Sequence, residues 1–160
     1  GMIMKLMERL KKDKKGFTLV EMIVVIVIIG ILLAILVPGM FKYIQKAKDK
    51  QILVDARTAY LDVQMAAQEA YGANGITGSD VATEFKTIKD FEGERTVTVT
   101  NGTKNVTVTV NVPENGKLTV TDVDDKTGKV KSMTYTRGDR EVKMVNEVWE
   151  EVEPVGGKTD

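Results

Sequence analysis

The chain has no cysteine and no histidine. Without cysteine no disulfide can hold a domain together, and nothing can be read about a redox compartment. Together the two absences remove the commonest zinc ligands and the usual general base, which points to a function without metal, cofactor or catalysis. Net charge is zero, with 23 Lys+Arg against 23 Asp+Glu. That balance offers no general case for nucleic-acid binding. Its distribution is uneven, however. Residues 1–16 hold six Lys/Arg and two Asp/Glu (+4), and the other 144 hold 17 and 21 (−4).

What is present in quantity is apolar sequence. Phe17 to Phe41 runs for 25 residues with only Thr18 and Glu21 polar among them. A helix of roughly 20 apolar residues crosses a bilayer, so this run is long enough. Lys5, Arg9, Lys11, Lys12, Lys14 and Lys15 precede it, and Lys42, Lys46, Lys48, Lys50 and Arg57 follow. Six basic residues against five do not orient the span by charge alone. Gly1 is set aside, and translation is expected to start at Met2 or Met4. A secretory signal would end in a small-residue cleavage site after its apolar core. Val37-Pro38-Gly39 does not provide one, so any cut falls before the run, at Gly16–Phe17.

Lys15-Gly16-Phe17-Thr18-Leu19-Val20-Glu21-Met22 resembles the processing site of type IV prepilins and the related pseudopilins. The resemblance covers roughly Lys14 to Tyr71. It implies cleavage after Gly16 by a membrane-embedded peptidase that also N-methylates Phe17. It also implies a 1–16 leader, a 17–41 membrane and filament-core half of one long helix, a 42–71 amphipathic half, and a 72–160 ectodomain. The expected fold is α+β and pilin-like, the helix packed on an antiparallel sheet of four or five strands. The implied function is a filament subunit: the major subunit of a pilus, or a pseudopilin of a type II secretion or DNA-uptake machine. Partners implied are sister copies, the prepilin peptidase/methyltransferase, and a membrane assembly platform with its ATPase. No specific nucleic acid is implied. The precursor would sit in the cytoplasmic membrane with its ectodomain outside, and the assembled form on the cell surface. A reading from another class is a signal-anchored binding domain that never polymerises.

Glu21 is the discriminating residue. A carboxylate at the centre of a bilayer costs about 2.5–3.5 kcal/mol on insertion scales, and less near an end. It either rests at headgroup level or finds a cation inside an assembly. Cleavage would create that cation, the Phe17 α-amino group, and a buried pair of this kind also sets register between helices. Gly30 and Pro38 are weak points of the helix, costing about 1 and 3 kcal/mol relative to alanine. Pro38 cannot donate to the Ala34 carbonyl, so a kink or loosened turn is expected there. Both residues are also commoner in membrane helices than in soluble ones.

Beyond Phe41, Ile52, Ala56, Ala59, Tyr60, Val63, Ala67 and Ala70 recur at helical spacing and predict one apolar stripe. Gly72 suits the helix stop. The predicted helix, Thr18 to Tyr71, would be about 80 Å long. Residues 73–94 read as a loop with a short helix, capped by Ser79, within Asp80–Phe91. From residue 95 the period becomes two. Thr96–Thr100, Val106–Val112, Leu118–Thr121 and Val130–Thr136 predict four strands in one antiparallel meander, with Asn101-Gly102 as its first hairpin signal. Residues 141–153 fit either a strand or a helix, and strand is the expectation.

Other motifs carry blander readings. Arg137-Gly138-Asp139 is expected to be turn chemistry. Asp122, Asp124 and Asp125 lack the glycine and distal glutamate of an EF-hand loop and suit a solvated turn, although the pseudopilin resemblance leaves calcium open. Asn101-Gly102-Thr103 and Asn105-Val106-Thr107 match the glycosylation triplet, which arises by chance in a threonine-rich domain. The Lys42–Lys50 cluster reads as a headgroup-level collar.

Overall fold

A computed structural model describes residues 2–5, 7, 18–113 and 115–157. Its main element is helix α1, Leu19–Ala70, continuous over 52 residues. Thr18 opens it: its backbone carbonyl accepts from the Met22 N–H at 3.2 Å and its Oγ1 from the Glu21 N–H at 3.2 Å. This is N-capping, which satisfies an otherwise orphaned first-turn donor. Gly72 closes the helix in the left-handed region at φ 80°, where glycine pays no Cβ penalty. The chain divides into two compact units, one ending at Lys46 and the other beginning at Ala47.

In the second unit α1 buries Ile52, Ala56, Ala59, Val63, Ala66, Ala67 and Ala70. The predicted stripe is therefore present, with Ala66 added and Tyr60 only partly buried. A 3₁₀ turn at Ala73–Gly75 leads to helix α2, Gly78–Phe85. Its cap is Thr77 and not Ser79. The Thr77 Oγ1 accepts from the Asp80 N–H at 3.2 Å, and the Asp80 carboxylate accepts from the Thr77 N–H at 2.9 Å. The reciprocal pair follows from the Thr-x-x-Asp spacing, which satisfies two backbone donors where Ser79 would satisfy one.

Among the described residues seven strands follow: β1 Glu94–Asn101, β2 Lys104–Asn111, β3 Gly116–Val123, β4 Val130–Arg137, β5 Arg140–Val145, β6 Val148–Trp149 and β7 Glu153–Pro154. The expected single meander is corrected here, because β1 and β2 form a separate two-stranded sheet. β3, β4, β5 and β6 follow in order in the other sheet, with β7 also on β5. The break between β2 and β3 has a local cause. Pro113 has no N–H to give a ladder and Asn115 turns at φ 62°. β3 then takes residues 88–91 along its edge: Phe91 and Leu118 exchange both backbone bonds at 2.9 Å, and the Val120 N–H reaches the Ile88 carbonyl at 3.0 Å. Part of the predicted loop thus does the work expected of β2. The first hairpin turns on Gly102-Thr103, with Gly102 at φ 63° and Asn101 still in the strand opposite Lys104. Residues 141–153 are strand-like, as expected, but split into three pieces by a turn at Asn146-Glu147, both at positive φ, and by non-strand residues 150–152.

Valines fill the inner faces. Val97, Val99, Val108 and Val110 are buried, with Leu118, Val120, Tyr135, Val142 and Met144 from the larger sheet and Phe85 and Ile88 beside them. The opposite face of the hairpin carries threonines, and Thr98 and Thr107 pair across it at 3.0 Å between hydroxyls. Gly116 is required by packing: a Cβ there would collide with the Tyr135 hydroxyl and ring.

Candidate functional site

The first unit places one carboxylate in the first turn of an otherwise apolar helix. Glu21 is an exposed residue whose backbone N–H is held by Thr18. Acidic side chains are favoured at that end of a helix, where the unpaired N–H groups leave partial positive charge. Thr18 is the capping residue that counting polar interruptions undervalues; Thr-x-x-Glu before an apolar run is a helix-start signature that identifies it. Gly16 and Phe17, the expected cleavage and methylation residues, lie outside the described residues, as does most of the 1–16 leader.

From Leu19 to Phe41 the large apolar side chains are all exposed. Leu19 is 78% exposed, Ile26 66%, Ile35 69% and Phe41 67%. The helix is long and apolar enough to cross a membrane, with none of its most apolar window buried. A helix that is apolar all round needs lipid or other helices as its surroundings. Gly30 and Pro38 both lie within the assigned helix. A Cβ at Gly30 would meet nothing within 4 Å, so no contact inside the chain demands a glycine there. Lys42, Lys46, Lys48 and Lys50 follow as exposed residues on α1.

The second unit ties its sheet to α1 through two arginine–aspartate pairs. Arg137 pairs with Asp55 and hydrogen-bonds the Tyr135 hydroxyl at 3.2 Å. Burial works against charge on Arg137, but the bonds to Tyr135 and Asp55 outweigh it and hold its pKa above the ordinary arginine value. Burial likewise pushes the Tyr135 hydroxyl up, partly offset by Arg137. Arg140 grips Asp49 with two nitrogens, at 3.1 and 2.7 Å. The Arg137-Gly138-Asp139 triplet is therefore built into this grip, and the Asp139 carbonyl accepts from the Val155 N–H at 2.8 Å. Its arginine is committed to Asp55, and Gly138 turns at φ 59°, as the turn reading expects.

Asp124 is equally committed. Its Oδ1 accepts from the Lys126 N–H at 2.7 Å and the Thr127 N–H at 3.2 Å, and these two bonds hold its carboxyl below the usual range. Among the described residues no group of three or more Asp, Glu, His or Cys converges as a metal site. Glu147 bridges Lys129 and Lys131; those bonds, from Lys129 first, lower its pKa, and the same contact raises that of Lys129. Asn101 donates its side-chain amide to the Gly75 carbonyl at 3.1 Å, whereas Asn105 is exposed on the threonine face.

One comparison with known proteins falls within the first unit. Residues 11–37 match the prokaryotic N-terminal methylation motif. The chain is 40% identical over 60 residues to the type IV wide pilus major component PilA4 of Thermus thermophilus. That alignment takes in 38% of this chain and 42% of the relative's length. No solved structure matches the chain.

Proposed function

We propose that this chain, a bearer of the prokaryotic N-terminal methylation motif, is a type IV pilin-like subunit and the major component of a surface pilus. The observation that carries the reading is the α1 start: Glu21 in a first turn capped by Thr18, then an apolar helix with no partner among the described residues of its own compact unit. Cleavage after Gly16 by a prepilin peptidase frees the Phe17 amine, which is then methylated. That amine on one copy is the cation Glu21 of another needs when both leave the headgroup region. The precursor stands in the cytoplasmic membrane with residues 47–160 outside. An assembly platform and its ATPase then draw it into a fibre whose core is the 17–41 segment. The open surroundings of Gly30 suit close approach of a sister helix.

Two measurements test this. Mass spectrometry of sheared surface material is expected to find chains beginning at methylated Phe17 in long filaments. Chains retained with residues 1–16 attached would refute it, and processed chains confined to short membrane-bound assemblies would mark a pseudopilin instead. Glu21→Ala is expected to abolish or badly distort the fibre while leaving the ectodomain folded, whereas a monomeric anchored domain would be indifferent to it.

A further inference from the structure

Two side-chain amides join the turn that follows α1 to the tip of the first hairpin. Asn74, in the 3₁₀ turn, donates from Nδ2 to the Asn105 carbonyl at 3.4 Å. Asn101, the last residue of β1, donates from Nδ2 to the Gly75 carbonyl at 3.1 Å. Each amide thus reaches into the segment that carries the other. Both asparagines also precede glycine, as does Asn115. Asparagine before glycine is the sequence most prone to deamidation, because a following residue without Cβ lets its backbone nitrogen approach the side-chain amide carbon.

The three Asn-Gly steps differ in their surroundings. Gly116 is buried, and its N–H is taken by the Pro113 carbonyl at 3.2 Å. Gly75 is exposed but overlaid by Lys104, whose Nζ would lie 3.4 Å from an added Cβ. Gly102 is exposed, and a Cβ there would meet nothing within 4 Å. Its N–H makes no hydrogen bond among the described residues. The Gly102 nitrogen is therefore the most accessible of the three.

We propose that Asn101-Gly102 is a site of spontaneous modification: Asn101 deamidates, and the product unfastens the hairpin tip from the turn after α1. In the step, the Gly102 nitrogen bonds to Asn101 Cγ as the Cγ–Nδ2 bond breaks. Nδ2 leaves as ammonia, taking the proton that the Gly102 nitrogen gives up. Water then opens the cyclic imide at either carbonyl, leaving aspartate or its isoaspartyl isomer. Nothing is oxidised or reduced, and water is the one reactant consumed.

The consequence follows from the donor count. An asparagine amide carries two N–H donors, whereas an ionised carboxylate only accepts. After conversion an acceptor oxygen faces the Gly75 carbonyl oxygen where a donor stood, so the bond is lost and the two oxygens repel. Lys104, opposite Asn101 in the hairpin register, is the cation nearest in the ladder to the new carboxylate. The amide bond restrains Asn101 while it lasts, which makes the conversion slow and cumulative. The site belongs to the second unit and does not rest on the filament reading.

Two measurements test the site and the latch separately. The full-length chain in detergent is held for days in mildly alkaline buffer and mapped by peptide mass spectrometry. Amide-to-acid conversion at Asn101 is expected several-fold ahead of Asn74 and Asn115, with isoaspartyl product among it. Conversion led by Asn74 or Asn115 would overturn the site. So would an Asn101 that stays intact in the folded chain while the urea-unfolded chain converts it. For the latch, Asn101→Asp mimics the product. Asn105→Asp, at an exposed position of the same hairpin, adds the same charge and leaves both amides in place. Hydrogen exchange is followed at the Gly72 and Ile76 N–H groups, whose bonds close the turn at 2.9 Å. It is expected to quicken several-fold in Asn101→Asp and to stay at the parent rate in Asn105→Asp. Exchange unchanged in both variants, or quickened equally in both, would overturn the latch.

Discussion

The two halves of α1 share one secondary structure and differ in what surrounds them. Residues 19–44 are apolar on every side and exposed on nearly all of them, whereas residues 52–70 are apolar on one stripe, and that stripe is buried under strands of the same chain. Burial of apolar area gives about 25 cal/mol per Å². The second half collects that stabilisation within the monomer, whereas the first half collects none of it from the described residues across its most apolar window. One helix therefore serves as a core element at one end and as an unfinished surface at the other.

Aspartate substitution should separate the halves most sharply. Val63 is fully buried and faces the sheets; Val63→Asp leaves an unpaired charge there and is expected to cost more than about 4 kcal/mol, unfolding the ectodomain in a circular-dichroism melt of the detergent-solubilised chain. Val27→Asp, on an exposed stretch, should leave that melt unchanged and instead reduce membrane retention in a fractionation assay. Equal loss of ectodomain stability from both would break the contrast.

Two glycines sharpen it at smaller scale. Gly116→Ala drives a Cβ into the Tyr135 hydroxyl and should cost about 1–3 kcal/mol in the same melt. Gly30→Ala meets nothing in the chain and should favour the helix by up to about 1 kcal/mol. Any defect it causes should then appear in fibre yield and not in ectodomain stability.

The smallest effect is acid sensitivity confined to the second unit. Asp124 and Glu147 have carboxyls held below their ordinary values by hydrogen bonds to backbone N–H groups and to lysines. Their contribution is complete above the ordinary carboxylate range and is lost as pH falls through it towards the lowered native values. Lys129, raised by Glu147, contributes with the opposite sense and loses its share only as pH rises through its elevated pKa. Melting temperature followed from about pH 7 to 3 should fall modestly, and Asp124→Asn should flatten part of that fall. An unchanged slope would show that the turn does not draw on the charge.

Much of this was legible in advance. The apolar run, the stripe from Ile52 to Ala70, the stop at Gly72 and the valine–threonine strands all follow from periodicity, which depends on local geometry. The separation of the two sheets did not follow, because alternation tells a strand which face to bury and says nothing of which neighbour it pairs with. Pairing turned on Pro113, Asn115 and a stretch at 88–91 with no strand pattern of its own. The Thr77 cap was readable from Thr-x-x-Asp, and Ser79 took its place only because it stood nearer the expected helix. The grip of Arg137 on Asp55 and of Arg140 on Asp49 joins residues 82 and 91 positions apart, beyond the reach of any local rule.

By itself the sequence determined that a chain without cysteine or histidine would place a long apolar helix, with one acid near its start, ahead of a small α+β domain. Those properties reside in composition and in spacing along the chain, so no neighbour is needed to define them. Tertiary structure alone decided which strands meet and which aspartates the arginines hold. It also decided that Val54, Leu61 and Met65 of α1 stay exposed while Ile52, Ala59 and Val63 are buried, since burial is a property of what comes to lie against a side chain and not of the side chain itself.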